Sequence, residues 1–278
     1  MTSKPLKWHG GKHYLADWIL SHAPEEYTTY LEPFFGGGSV LFRHPPGKSE
    51  IVNDVHGPLS IFWSVLQDES LLRALKRKLD ATPLSETVFE IACDHLEGFK
   101  HYDGELDTQM LLNTAWAFFV KYRQSRQGIG KVFATLSTGR TRRGMNEQAS
   151  SWLSAIEGLP EAHQRLRGVV ILNRDAIEVM LAHNKPSVWA YLDPPYLPET
   201  RTAPTIYEHE YSEESHIELL TMLGCDFRGK FALSGYPSAV YNDAADTFGW
   251  RCVSKEIVNS ASSRKSKTLK TECLWMNY

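Results

Sequence analysis

The sequence predicts an α/β protein: a sheet domain of alternating strands and helices, interrupted by a mainly helical insertion over residues 67–167. Three observations carry this. Strand-like and helix-like segments alternate through residues 1–66 and again from 168 to 278, and βα alternation implies a mostly parallel sheet with helices on both faces. A glycine cluster stands in the first strand-to-helix turn, and a proline pair ends a later apolar strand, which are the places where such a sheet offers a ligand site. Between the two halves the pattern turns helical and then basic.

Taken in order, Lys12 to Ser21 reads as a helix, with Leu15, Trp18 and Ile19 at helical spacing and Pro24 closing it. A strand from about Thr28 to Glu32 runs into Gly36, Gly37 and Gly38. A second strand, Glu50 to Val52, ends at Asn53 and Asp54, and Gly57-Pro58 opens a helix from Leu59 to Leu66. Helical segments follow, notably Gln109 to Tyr122, whose stripe Leu111, Leu112, Ala115, Phe118 and Phe119 reads as core. The stretch Gln127 to Gly144 is expected as a β-hairpin or extended loop. Alternation then resumes with strand Val169 to Leu172, helix Ala176 to His183, strand Ser187 to Leu192, helix Glu213 to Leu223 and strand Lys230 to Leu233. Strands Arg251 to Val258 and Glu272 to Met276 finish the chain.

Composition excludes several classes. With 42% apolar and 23% charged residues in 278, the chain is globular rather than disordered. No apolar run approaches the roughly 18 residues that cross a bilayer, and the N-terminal segment lacks an apolar signal core, so a cytoplasmic protein with no membrane partner is expected. Cys93, Cys225, Cys252 and Cys273 are widely separated and form no C-x-x-C pair, which points to buried free thiols. The eleven histidines show no metal-ligand spacing, and no metal is expected.

Charge is informative by place. The formal net charge is −3, yet the window from Lys121 to Asn146 is acid-free and carries +7. A second acid-free run with Arg264, Lys265, Lys267 and Lys270 carries +4, leaving −14 for the remainder. Two such runs in an otherwise acidic chain favour phosphate binding over a merely solvated face. Arg123, Arg126, Lys131, Arg140, Arg142 and Arg143 are the candidates for contact with a nucleic acid, and the C-terminal run is a weaker one.

The sharpest motif is Asp193-Pro194-Pro195-Tyr196, directly after an apolar strand. Neither proline can donate to the ladder, so the strand stops and the carboxylate is left at the sheet's edge. Asp193, the Pro194 carbonyl and the Tyr196 ring form a set suited to an exocyclic amine: two acceptors for its hydrogens and an aromatic face for a flat base. Phe34-Phe35-Gly36-Gly37-Gly38 lets a ligand approach the backbone, and Asp54 stands where an acid binds ribose hydroxyls. A dinucleotide fingerprint is disfavoured because Leu41 stands where its third glycine is needed. A phosphate loop fails at Lys7-Trp8-His9-Gly10-Gly11-Lys12, since His13 follows the lysine and Leu6 occupies the first glycine position. That segment is instead a candidate carboxylate clamp ahead of a helix.

In this order and separation, L-K-W-H-G-G-K, E-P-F-F-G-G-G-S, N-D-V-H, L-N-R-D-A and Y-L-D-P-P-Y resemble the DNA adenine N6-methyltransferases of the Dam-like type. The resemblance covers nearly the whole chain. It implies a Rossmann-like, S-adenosylmethionine-dependent methyltransferase domain formed by residues 1–66 and 168–278, with residues 67–167 as an inserted target-recognition domain. It further implies that Trp8 and Lys12 contact S-adenosylmethionine, Lys12 near its carboxylate, and that Glu32 and Gly36 to Gly38 shape the methionine side. Phe34 and Asp193 join the cofactor-binding set, Asp54 holds the ribose, and Asp175 sits by the adenine ring. Asp193, Pro194, Pro195 and Tyr196 are the catalytic element by the same resemblance. The insertion lacks the asparagine-rich hairpin of the better-known members, which suggests a phage- or prophage-type branch and withholds the recognition sequence.

The expected reaction is transfer of a methyl group to N6 of an adenine flipped out of duplex DNA, leaving S-adenosylhomocysteine. An RNA or protein amine methyltransferase is the first alternative, and a catalytically silent DNA-binding protein with a cofactor pocket is the second. A cognate restriction nuclease is a candidate partner, and a monomer is the default expectation.

Overall fold

The computed structural model describes residues 5–134, 139–200, 211–258 and 269–278. In chain order its elements are α1 (Ala16–Leu20), β1 (Thr29–Glu32), β2 (Ser49–Asn53), α2 (Gly57–Gln67), α3 (Glu69–Asp80), α4 (Glu86–Phe99) and α5 (Thr108–Arg123). Next come β3 (Thr141–Arg142), β4 (Met145–Asn146), α6 (Glu147–Glu157), α7 (Leu159–Leu166), β5 (Val169–Leu172), α8 (Ala176–Ala182) and β6 (Val188–Leu192). The last are α9 (Glu213–Cys225), β7 (Lys230–Gly235), α10 (Ala239–Phe248), β8 (Arg251–Val258) and β9 (Leu269–Met276). Two compact units result. One comprises Met1–Leu20, Gly36–Pro46 and His56–Asn173, and the other Ser21–Phe35, Gly47–Val55 and Arg174–Tyr278. The stretch 67–167 lies wholly inside the first.

The first unit is helical. Pro58 in the first turn of α2 costs no hydrogen bond, and the His56 side chain caps the helix by accepting from the Leu59 amide at 3.3 Å. Helix α5, capped by Asp107, buries Ala115, Phe118 and Phe119 as its spacing predicts, while Leu111 and Leu112 stay half-buried. It packs on α2 and α4. The Phe62 and Phe119 rings stack at 5.8 Å between α2 and α5.

The second unit is built on a sheet. Six strands run side by side in the order β2-β1-β6-β7-β9-β8, with β2, β1, β6 and β7 parallel and β9 antiparallel to both neighbours. Every residue of β6 is buried, as a continuous apolar run in a strand covered on both faces requires. Parallel β6 and β7 place their C-terminal ends on one sheet edge, and the register Gly235↔Cys273 brings β9 to the same edge.

Three local expectations are corrected. The helix expected over Lys12 to Ser21 is confined to Ala16–Leu20, because Lys12 to Leu15 form a turn in which the Leu15 amide reaches the Lys12 carbonyl at 2.8 Å. Helix α10 was not expected, although the Ser238 hydroxyl caps it and Gly249 ends it at φ 70°. The thiols are free, but Cys225 and Cys252 are exposed and Cys93 is half-buried, leaving Cys273 as the buried one.

Candidate active site

In the first unit, the glycine cluster meets protein rather than open space. Trp8 lies against the backbone of Gly36 and Gly37, so that a Cβ on Gly36 would stand 2.8 Å from the indole Nε1 and one on Gly37 2.6 Å from the Trp8 Cβ. Gly36 also holds φ 49°, where a side chain is strained. The indole packs on Phe118 at 5.9 Å, on Tyr122 at 4.9 Å and edge-on to His56 at 6.4 Å. Lys12 is buried and its Nζ donates to the Gly10 carbonyl at 3.1 Å. It stands four residues before α1, so the helix terminus is not what places this ammonium.

The candidate DNA contacts of this unit divide. Arg123, on the last turn of α5, donates from Nε to the Pro5 carbonyl at 2.6 Å and sets its guanidinium 6.0 Å from the Phe119 ring. Burial lowers that guanidinium to about 10. Beside it the Lys7 Nζ donates to the Ser125 carbonyl at 3.1 Å. Arg123 therefore secures the segment leading to Trp8. Arg126, Lys131, Arg140, Arg142 and Arg143 are exposed. Thr141 to Asn146 form a hairpin whose two-residue turn, Arg143-Gly144, has φ 55° and φ 72°. Both signs are those of a type I′ turn, which suits the twist of a hairpin but strains any residue other than Gly, Asn or Asp at its first position. Arg143 also pairs with Glu157 at 3.0 Å, and Arg140 stands 4.0 Å from Glu147.

In the second unit, Asn53 organises the edge. Its side-chain nitrogen donates to the carbonyls of Pro33 and Arg174, each at 3.0 Å, and its oxygen accepts from the Arg174 amide at 2.9 Å. One amide thus joins the ends of β1 and β2 to the turn that carries Asp175. Asp175 is exposed and caps α8, its Oδ1 accepting from the Ile177 and Glu178 amides at 2.8 and 3.1 Å. Asp54, directly after β2, is half-buried. Glu32 is buried and accepts from the Tyr30 hydroxyl, and half-buried Phe34 meets Tyr211 edge-on at 5.6 Å.

The D-P-P-Y turn emerges from β6 with Asp193 half-buried and Pro194 buried. Tyr196 is 7% exposed. Its hydroxyl donates to the carboxylate of Glu272 on β9, a residue only 1% exposed, and its ring meets Tyr236 edge-on at 4.7 Å. Burial, then the charges of Glu272 and Asp193, push the Tyr196 hydroxyl well above the ordinary tyrosine range. It remains a proton donor, and the pair stays formed. Tyr236 follows β7, whose Ser234 shares a hydrogen bond with the Tyr191 hydroxyl at 2.9 Å. Ser234-Gly235-Tyr236, read from the sequence as closing the cofactor pocket after a strand, places Tyr236 beside Tyr196, whereas Glu272 and Asn53, which hold candidate residues in place, are positions that sequence reasoning missed. The available signal for Glu272 was a lone carboxylate in the apolar strand T-E-C-L-W-M.

Residues 8–265 match the D12 class N6 adenine-specific DNA methyltransferase family. The chain belongs to this family. Over 297 residues, 98% of this chain and 94% of the other, the methyltransferase is 26% identical to the type II methyltransferase M1.LlaDCHI of Lactococcus lactis subsp. cremoris. It is 25% identical over 302 residues, the full length of both chains, to the type II methyltransferase M.MjaIII of Methanocaldococcus jannaschii. A shorter match, 37% over 65 residues, joins 23% of the chain to 8% of a DNA N-6-adenine-methyltransferase of Escherichia phage P1. The family's substrate is adenine in DNA, which decides against the RNA and protein amine alternatives. Among the described residues no helix is long and apolar enough to cross a membrane, and no group of three or more His, Cys, Asp and Glu side chains is arranged to hold a metal ion.

Proposed function

We propose that this enzyme transfers the methyl group of S-adenosylmethionine to N6 of an adenine turned out of duplex DNA, with Asp193, Pro194, Pro195 and Tyr196 as its catalytic element. The observation that carries the proposal is the fixed D-P-P-Y turn at the end of β6, with Tyr196 held by Glu272 and Tyr236. The chain's donors fit the cofactor in kind. Lys12 offers a buried ammonium for a carboxylate, Asp54 a half-buried carboxylate for ribose hydroxyls, and Phe34 a half-buried ring for a purine. Trp8, Glu32, Gly36, Gly37 and Gly38 are assigned to the methionine side, and Asp175 to the adenine amine through its Oδ2, since its cap bonds end on Oδ1.

When bound, the cofactor supplies an electrophilic methyl on a sulfonium. The protein's task is to make a poor nucleophile competent, because the N6 lone pair is delocalised into the purine ring. Asp193 and the Pro194 carbonyl accept the two N6 hydrogens, which favours a pyramidal nitrogen and stabilises the positive charge that grows on it. Asp193 receives the departing proton after the methyl has moved, so it orients first and acts as a base last. Tyr196 supplies the stacking face for the extruded base. Residues 67–167, with exposed Arg126, Lys131, Arg140, Arg142 and Arg143, grip and read the duplex.

A cytoplasmic location, a monomer, and a restriction nuclease sharing the target site complete the reading; the last is supported by the names of the two full-length relatives. The test is incubation with methyl-labelled S-adenosylmethionine and mixed-sequence duplex, followed by digestion to nucleosides. Label in N6-methyladenine is expected, and label in cytosine, or in none, overturns the proposal.

A further inference from the structure

An open cleft of about 460 Å³ lies within the second unit, lined by Glu199, Thr200, Tyr236, Pro237, Lys270 and Thr271. Its volume is in the range of clefts that hold small ligands, roughly 300–1,000 Å³. Its walls come from three places that the sheet brings to one edge: the turn just past D-P-P-Y, the segment leaving β7, and the first residues of β9. Tyr236 is the shared wall, since the ring that lines the cavity is also the one packed edge-on against Tyr196.

The chemistry of the lining is selective. The Lys270 Nζ stands 4.4 Å from the Tyr236 ring centroid, a cation–π contact that fixes the ammonium at the cavity wall. The cavity therefore presents a cation seated on one face of an aromatic ring. The Thr200 hydroxyl spends its proton on the Leu197 carbonyl at 2.8 Å. Among the described residues Lys270 is therefore the one cation of the lining, the group that attracts an anion, and Glu199 its one acid, which weakens that attraction and opposes more strongly any ligand of higher negative charge. A lining with one base and one acid suits a single phosphodiester and disfavours a triphosphate.

Resting on the proposed function, we infer that this cavity seats one backbone phosphate of the DNA strand that carries the target adenine, with Lys270 as its counter-charge. Its place beside Tyr196 makes that phosphate one flanking the extruded nucleotide. Lys270 then differs in role from the hairpin arginines, which hold the duplex through another segment of the chain. It also gives a task to the described end of the C-terminal basic run, of which Arg264, Lys265 and Lys267 lie outside the described residues.

The experiment measures the dissociation constant for a duplex carrying the methylated site, with S-adenosylhomocysteine present, across a series of salt concentrations. Each neutralised phosphate contributes about 0.9 to the slope of log K against log salt. Lys270→Ala is expected to flatten the slope by about that amount and to weaken duplex binding several-fold, with Lys270→Arg restoring both. Glu199→Gln is expected to tighten binding. Lys185→Ala, which removes an exposed lysine ahead of β6, at the opposite end of that strand from D-P-P-Y, is the control and is expected to leave the slope unchanged. A slope in Lys270→Ala equal to that of the unaltered protein, or flattened no more than in Lys185→Ala, overturns the inference. Because the slope is read without turnover, an unaltered protein that binds duplex but forms no N6-methyladenine defeats the proposed function and not the phosphate seat.

Discussion

The end of β6 and the hairpin Thr141 to Asn146 carry their polar groups in opposite ways. At the strand end Tyr196 is buried and held between Glu272 and Tyr236, Asp193 is half-buried, and the turn is stiffened by two prolines. At the hairpin Arg140, Arg142 and Arg143 are exposed on and beside two-residue strands, and Arg143 occupies a strained turn position. Chemistry on an amine requires acceptors that do not reorganise, which burial provides. Holding a polyanion requires charge within reach of many phosphates, which exposed, screened side chains provide. On the proposed assignments turnover and grip fall to different regions, and variants in the two are expected to fail differently.

The largest expected effect is at the strand end. Asp193→Ala is expected to lower kcat by about 10²-fold or more while leaving the dissociation constant for duplex within about twofold, because the interaction grows in the transition state. Normal turnover in that variant would erase the contrast between the two regions. Next is Glu272. Glu272→Ala and Tyr196→Phe are each expected to cost about tenfold in kcat, less than additively when combined, and Glu272→Gln to recover most of the loss because it still accepts the tyrosine proton. Equal damage from Glu272→Gln would assign the carboxylate a role other than positioning.

Smaller effects are expected at the hairpin. Replacing Arg140, Arg142 and Arg143 together by alanine is expected to reduce the salt slope by up to about 2.7 and to raise KM for DNA, with kcat at saturating duplex nearly unchanged. A loss confined to kcat would merge the two regions. The smallest effect is on stability at high pH. Tyr30 and Tyr196 are both pushed well above the ordinary value of 10 by burial first, so the folded state holds their protons more tightly than the unfolded chain does. Their contribution is complete below pH 10 and is lost as pH rises beyond it, by about 1.4 kcal/mol per pH unit for each. Denaturant unfolding between pH 9 and 11 should show this decline, and Tyr196→Phe should make it shallower by one such increment.

Much of this was legible in the residues. The βα alternation placed all but one of the strands and helices of the second unit, because buried parallel strands read as apolar runs and D-P-P-Y can only end one. Helix α10 escaped because its sequence A-V-Y-N-D-A-A-D-T-F buries only Tyr241 and Ala245, too few to mark a periodic face. Glu272 and Asn53 escaped for a different reason, since their partners lie 76 and up to 121 positions away and no local pattern encodes them. Arg123 shows the limit of reading charge by window. It belongs to the basic run in sequence, yet one turn beyond Phe119 it points into the protein and binds the Pro5 carbonyl.

The ledge formed by Gly36 and Gly37 under Trp8 has an evolutionary consequence. A methyl group at position 37 would stand 2.6 Å from the Trp8 Cβ, so alanine is barred there while the indole segment remains in place. Positions 8, 36 and 37 are therefore locked in mutational order. Giving up the indole relieves the contact at 36 but not the one at 37, where the clash is with a Cβ that any residue except glycine at position 8 keeps. Gly37 can therefore be enlarged only after the backbone at position 8 has moved or that residue has itself become glycine.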